Sequence, residues 1–482
     1  MISIETIIKR LEDHGISQEK LAEVMKSYNI AKEIHKGQLR QSGEEYIIHP
    51  LHVASNLLDM EIYDTDTICA ALLHDTIEDA PFEFTKEDVK ELINETVAEL
   101  VDGVTKMRAM NYSTKKDLEE ANTRKIINGL NKDLRIILIK LCDRLHNMQT
   151  LQYKRIEKQK ENALETMELF VPLSLSIGAY KLKNQLEDLS LQYIEPDDFK
   201  RISEEKAKIE LEETPYLEEV SRRFKSILEE NYIPSRIVQR TQTITSTYKR
   251  IKRGYKLENI YDLFYLKILV GETEDCYRTL CYVHKLNPPI NGRFKDYIFN
   301  PRTNLYQSLH TTVSYRKGDL LKVKIRTYDM DKVAAYGIPA LWNIKGGKTM
   351  EETQKEVVEK CQFAKKLMEL DESFKDNADF IHGIKKELLI EHIYVYNENG
   401  EFIELPIGST ALDFVCQEYP NVLDQMTGIL VNEKEMPLNV PLNNYDRIEV
   451  ITKGTIKHEN WDQYANNQSA KKRLKTLYQQ NL

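Results

Sequence analysis

LLHDTIED, residues 72–79, decides how the amino-terminal part of this chain folds. Adjacent His74 and Asp75 offer a neutral imidazole and a carboxylate, a donor pair that suits manganese or another divalent metal. Glu78 follows His74 by four residues and Asp79 follows Asp75 by four, so on one helix the second acidic pair stacks over the face of the first. Two further donors stand in comparable contexts, His49 in YIIHP and Asp143 in KLCDRLHNMQT. A single His-Asp dipeptide reads as a helix-surface pair. The four elements together point to a metal centre. Around them, residues 1 to about 195 repeat apolar positions at three- and four-residue spacing, as in Ile68, Leu72, Leu73 and Ile136, Ile137, Leu141, which predicts an all-helical region. His14, His35, His49, His52, His74 and His146 all fall in this region, an asymmetry that agrees with metal chemistry.

Length and composition set the frame. At 482 residues the chain holds about three or four domains of ordinary size. Apolar residues are 41% and charged residues 30%, a globular balance. The longest apolar candidate, Leu134 to Cys142, is broken by Arg135 and Lys140 and falls short of the roughly 18 residues a membrane helix needs. With no charged-then-apolar leader, the expected location is the cytoplasm, with no membrane partner. Six cysteines without a CxxC pair argue against a disulfide framework or a zinc ribbon. The net charge of 68 − 77 = −9 argues against broad nucleic-acid coating, while leaving room for a local basic pocket.

From Asn231 the texture changes. Strand-like runs at Leu263–Val270, Thr311–Tyr315 and Leu321–Thr327 alternate with helical stretches, so this part is α/β. Met350 to Leu370 reads as a charged, heptad-like connector helix. From His392 short alternating strands return, with a hairpin signal at Asn399-Gly400. The expected divisions are 1–195 all-helical, 196–232 helical linker, 233–346 α/β, 347–390 helical connector, 391–455 small β module and 456–482 polar helical tail.

GQLRQSGEEYIIHPLHVA, LLHDTIEDAPF, VAELVDGVTKM and KLCDRLHNMQTL, spread over residues 30 to 190, resemble the hydrolase half of the RelA/SpoT family, a group of HD-type metal phosphohydrolases. The resemblance implies that His49, His74, Asp75 and Asp143 bind one manganese ion. It implies that Glu78 and Asp79 orient and deprotonate the water that attacks the 3′-pyrophosphate of (p)ppGpp, releasing pyrophosphate. Arg40, Ser42, Asn147 and Thr150 match positions that hold the nucleotide. There are departures: Gln41 stands where lysine is usual, Glu45 where proline is usual, and LSLSIGA (Leu173 to Ala179) replaces a stretch that normally carries His and Arg. They leave the metal set intact and bear on substrate affinity and communication between domains.

NGRFKDYIFNPRTNLYQSLHTTV, Asn291 to Val313, together with YDLFYLKI and CYRTLCYVH, resembles the synthetase signature of the same family, with a nucleotidyltransferase-like fold. Such members transfer pyrophosphate from ATP to the 3′-hydroxyl of GDP or GTP. Tyr306 matches the guanine-stacking tyrosine and Asp262 the magnesium aspartate; Arg240, Lys295, Asn304 and His310 complete the implied pocket, within reach of a run free of acids from Arg236 to Lys256. The catalytic strand departs. Where the family has Glu-x-Gln-Ile-Arg-Thr, this chain reads Lys322-Val-Lys-Ile-Arg-Thr. A protonated lysine neither ligates magnesium nor accepts a proton. Lys322, Lys324 and Arg326 share one strand face. Asp331, Ala335 and Leu341 replace His, Glu and His, and Lys267 and Gln242 replace Arg and Lys. The expectation is a synthetase shape that is inactive or weak, kept as a nucleotide-binding or regulatory shell for GDP, GTP or ppGpp, with magnesium only if function is retained.

IYVYNENGEFIELPIGSTALDF and the closing RIEVITKG resemble the TGS module, a β-grasp fold. Tyr419 stands where ribosome-associated members carry a histidine that touches the tRNA end, and the zinc-finger and ACT-type regions do not follow before Leu482, so ribosome or tRNA binding is not expected. The whole therefore reads as a manganese-dependent (p)ppGpp 3′-pyrophosphohydrolase. The alternatives are a bifunctional synthetase/hydrolase, against which Lys322 counts, and a silent guanine-nucleotide sensor, against which the complete ligand set counts.

Overall fold

The computed structural model describes residues 2–80, 84–105, 121, 124–125, 133–302, 306–316, 319–340, 392–443, 445–452, 461–467, 470–471 and 473–474. Asn304, Leu341 and the expected connector helix lie outside the described residues, as does most of the expected tail. The chain forms two compact units, residues 1–388 and 389–482.

Among the described residues, those up to Ile194 form helices and their connections, as the periodicity predicts. At the centre of this region runs the helix Leu134–Gln149, buried almost all round, as a helix with apolar residues on every face must be. Asp133 caps its start by accepting from Arg135 N. It packs against Ile48–Asp59, to which Asn56 Nδ2 ties it by donating 3.2 Å to the Cys142 carbonyl. The helix Thr65–Leu73, capped by Asp64, buries every residue except Asp66.

The structure corrects one expectation here. LLHDTIED is not one helix: Thr65–Leu73 ends before His74, and a four-residue helix, Thr76–Asp79, begins after Asp75. Side chains take the carbonyls that a continuous helix would use. His74 Nδ1 reaches the Ala71 carbonyl at 2.8 Å, and Thr76 Oγ1 donates to that of Leu73 at 2.6 Å.

The α/β part is a five-stranded mixed sheet of order β1-β2-β5-β4-β3, with β1 Ser235–Thr241, β2 Phe264–Val270, β3 Lys295–Asp296, β4 Leu309–Arg316 and β5 Asp319–Thr327. Only β2 and β5 pair in parallel. Leu321, Val323 and Ile325 of β5 enter a core shared with Leu217, Val220, Phe224 and Leu228 of the long helix Pro196–Glu230. By strand alternation the lysines between them face the other way.

The two halves meet at a close backbone approach. Ile338 N donates 3.0 Å to the Ile177 carbonyl, inside the LSLSIGA departure. Gly337 sits at φ +72°, and a Cβ there would fall 2.0 Å from that same carbonyl oxygen, so glycine is required twice over. Lys332 pairs with Glu61 at 3.2 Å, and Tyr180 meets Tyr306 edge-on at 5.8 Å.

The second unit pairs β6 (His392–Tyr396) with β7 (Phe402–Pro406) through the expected turn, with Gly400 at φ 79°. The helix Ala411–Glu418 starts with a Thr410–Asp413 capping box. A second small sheet has the order β10-β8-β9, from Ile448–Ile451, Gly428–Val431 and Lys434–Met436.

Candidate metal centre and the altered sheet site

Three segments deliver the four donors: His49 from Ile48–Asp59, His74 and Asp75 from the break after Thr65–Leu73, and Asp143 from Leu134–Gln149. Ligand atoms of His49, His74 and Asp143 all lie within 4.8 Å of one another. His49 Nε2 is 3.2 Å from Asp143 Oδ1 and 3.5 Å from Asp75 Oδ2. His74 Nε2 is 3.1 Å from Asp75 Oδ2 and 4.0 Å from Asp143 Oδ1.

The hydrogen bonds fit these residues to a cation. His74 Nδ1 can only donate to the Ala71 carbonyl, which leaves the Nε2 lone pair pointing at carboxylate oxygens; buried Nε2 has no hydrogen-bond partner among the described residues. His49 Nδ1 lies 2.7 Å from His146 Nδ1, so His49 is oriented by a second imidazole, itself stacked on His52. Burial and the neighbouring His49 and His52 rings hold His146 down at about 2, hence neutral. Burial pushes the Asp75 and Asp143 carboxyls up. Against it the His74 and His49 rings act together on Asp75, and the Lys140 ammonium with the His49 and His74 rings on Asp143, so both stay below the usual carboxylate range. The converging donors of His49, His74 and Asp143, with Asp75 beside them, are consistent with a divalent-metal site.

The centre opens into a cavity of about 400 Å³. Its lining includes His49, Asp75, Asp143, Glu78, Asp79, Arg40, Ser42, Asn147 and Thr150; His74 lies behind it, 1% exposed. Arg40 Nη2 donates to Asn147 Oδ1 at 3.1 Å and Thr150 Oγ1 at 3.5 Å, joining the two segments named from sequence. Ser42 donates to Glu44 instead. Asp79 Oδ2 lies 3.4 Å from His35 Nδ1.

Sequence reasoning missed several groups. Tyr46 donates 2.8 Å to Asp75 Oδ2, and buried Lys140 sits 2.9 Å from Asp143 Oδ2. Both carry a three-residue spacing to a ligand that could have marked them, as does His146 after Asp143. His35, brought from another helix, carries no such signal. Arg144 and Lys154 add positive charge to the lining.

On the sheet, Asp262 is 1% exposed and doubly paired: Arg250 grips both oxygens and Lys322 Nζ lies 3.0 Å from Oδ2. Tyr306 OH is 2.8 Å from His310 Nε2, with the guanidinium groups of Arg302 and Arg326 over its ring. Lys295 pairs in register with His310, while exposed Arg240 stands on β1.

Three family models match: the HD domain over residues 27–179, the region found in RelA/SpoT proteins over 239–349 and the TGS domain over 393–452. The chain is 37% identical over 433 residues to a GTP pyrophosphokinase of Myxococcus xanthus, covering 89% of this chain and 56% of that one. It is 34% identical over 465 residues to the bifunctional (p)ppGpp synthase/hydrolase SpoT of Escherichia coli K12, covering 96% and 65%. Against a guanosine-3′,5′-bis(diphosphate) 3′-pyrophosphohydrolase of Aquifex aeolicus it is 36% identical over 455 residues, covering 94% and 63%. The chain thus spans between 56% and 65% of the length of these curated relatives.

Proposed function

Starting from the fact that this chain belongs to the RelA/SpoT family, with HD, RelA/SpoT and TGS domains in the order of its long members, we propose that it hydrolyses (p)ppGpp. The products are GDP or GTP and pyrophosphate. The observation that carries this reading is the His74 Nε2 lone pair, fixed by the Ala71 carbonyl and converging with His49, Asp75 and Asp143 at the floor of a cavity.

His49, His74, Asp75 and Asp143 would hold one manganese ion, which when bound supplies a Lewis acid that polarises the phosphoryl group and acidifies water. The chain's own residues do the rest. Glu78 and Asp79, on the cavity wall, take the proton from the attacking water at a carboxylate oxygen, with Asp79 steadied by His35. The bond between phosphorus and the ribose 3′-oxygen breaks, the water oxygen stays on pyrophosphate and the 3′-oxygen takes up a proton. Arg40, aimed by Asn147 and Thr150, binds phosphate oxygens; Ser42 exchanges Glu44 for the nucleotide.

We also propose that the sheet site makes no (p)ppGpp. Asp262, which the family resemblance would assign to magnesium, is already occupied by Arg250 and Lys322. We place the protein in the cytoplasm together with its proposed nucleotide substrate.

Purified protein incubated with ppGpp and manganese, followed by nucleotide separation, should yield GDP and pyrophosphate, and chelation should stop it. Asp75→Ala should lose bound metal and hydrolysis together. Undiminished turnover in Asp75→Ala refutes the assignment.

A further inference from the structure

The basic face of β5 has an organisation that hydrolysis does not use. Residues opposite one another in register point to the same side of a sheet. Lys324 lies between Lys267 of β2 and His310 of β4, and His310 lies beside Lys295 of β3. Two residues earlier, Lys322 lies beside Tyr265, which lies beside Arg240 of β1. Asp262 answers Lys322, while Asp331 answers Lys267 and Arg326.

What is left over is cationic. Lys324 has no carboxylate in ion-pair range among the described residues; its ammonium lies over the Tyr265 ring at 4.2 Å. Arg326 is 7% exposed, and only Nη2 reaches Asp331, at 2.9 Å. Its buried Nε and Nη1 have no hydrogen-bond partner among the described residues. A buried guanidinium with two idle donors beside an unanswered ammonium needs an acceptor with several oxygens and negative charge.

We propose that this face is a metal-independent polyphosphate site, in which Lys322, Lys324 and Arg326 bind the oxyanion directly while Asp262, taken up by Arg250 and Lys322, is not offered to a metal ion. The chemistry is that of a di- or triphosphate, free or carried on a nucleotide. The site goes beyond the hydrolase reading and does not depend on it.

Titration calorimetry on the full chain tests this, with GDP and separately with inorganic pyrophosphate, each in EDTA and in magnesium. An Arg40→Ala background reduces phosphate binding in the hydrolase cavity. Binding should persist in EDTA and weaken about tenfold or more in Lys324→Met, as loss of a charge-assisted contact implies. Lys322→Met, at a side chain 21% exposed, should weaken it similarly and keeps the test open if Lys324→Met does not fold. Equal binding of pyrophosphate and GDP marks a site for phosphates alone. Tighter GDP binding that falls in Tyr306→Ala marks a nucleotide site; both results support the proposal. Binding that requires magnesium, no binding in either condition, or metal-free binding unchanged in both lysine variants overturns it.

Discussion

Restoring the family's glutamate by Lys322→Glu should destabilise the protein and still yield no (p)ppGpp. Asp262 is 1% exposed, and its carboxyl is pushed up by burial yet held at about 2 by Arg250 and Lys322. Because the folded value lies below the unfolded one, these pairings stabilise the fold above about pH 4, and that contribution is lost as pH falls through about 2. The difference is worth about 2 kcal/mol at neutral pH. Lys322→Glu removes one of the two cations and sets a second carboxylate against Asp262, where two like charges about 4 Å apart repel by up to about 4 kcal/mol. Since Lys322 is 21% exposed, the new side chain can swing toward water, so the net loss should be about 2–4 kcal/mol in urea unfolding. Acid unfolding should begin at higher pH, because Asp262 loses part of what keeps it ionised. With ATP, GDP and magnesium, nucleotide separation should show no product, since Lys324, Lys267 and Ala335 remain. A variant as stable as the parent that also synthesises (p)ppGpp would refute this account of the sheet site.

Glu78→Gln should retain metal, measured by elemental analysis, while hydrolysis slows by about 10²–10⁴-fold, the usual worth of a general base. Gly337→Ala should cost about 2–4 kcal/mol in denaturant unfolding, combining a left-handed backbone penalty with the displacement of the Ile177 carbonyl; a neutral effect would mean the two halves do not approach as closely as 2.0 Å to that Cβ requires.

The three-part architecture was legible because each part has its own pattern: a period of three and four in the helical region, short strand-like runs in β2, β4 and β5, and a turn pair between β6 and β7. Of the hydrolase-half residues singled out, all but His74 line one cavity, because donors scattered over about 100 residues share chemistry that spacing alone does not produce by chance. The break after Leu73 was not legible. Periodicity counts residues, and it cannot register that His74 and Thr76 spend their side chains on carbonyls that helix continuation needs. The His49–His146–His52 stack was hidden for a related reason: surface and buried histidines read alike in sequence, and only the packing of Ile48–Asp59 on Leu134–Gln149 tells them apart.

The substitutions on the sheet look in sequence like independent losses, yet geometry joins Lys267 with Asp331 and closes Lys322 onto Asp262. Asp331, in the place of a histidine, accepts from Lys267 at 2.8 and 2.7 Å and from Arg326 at 2.9 Å. Lys267, in the place of an arginine, is pulled down by burial and raised again by Asp331, so each altered residue supplies what the other needs. Lys322 likewise closes on Asp262. Drift that merely removed catalysis would leave such charges scattered and unpaired, at a cost of several kcal/mol for each buried one. Among the described residues of the β5 face, what these pairings leave over is Lys324, held at about 7 by burial and by Lys322 and Arg326, and two buried nitrogens of Arg326. That residue of uncompensated charge, confined to one strand face beside Tyr306 and His310, is what an anion would complete.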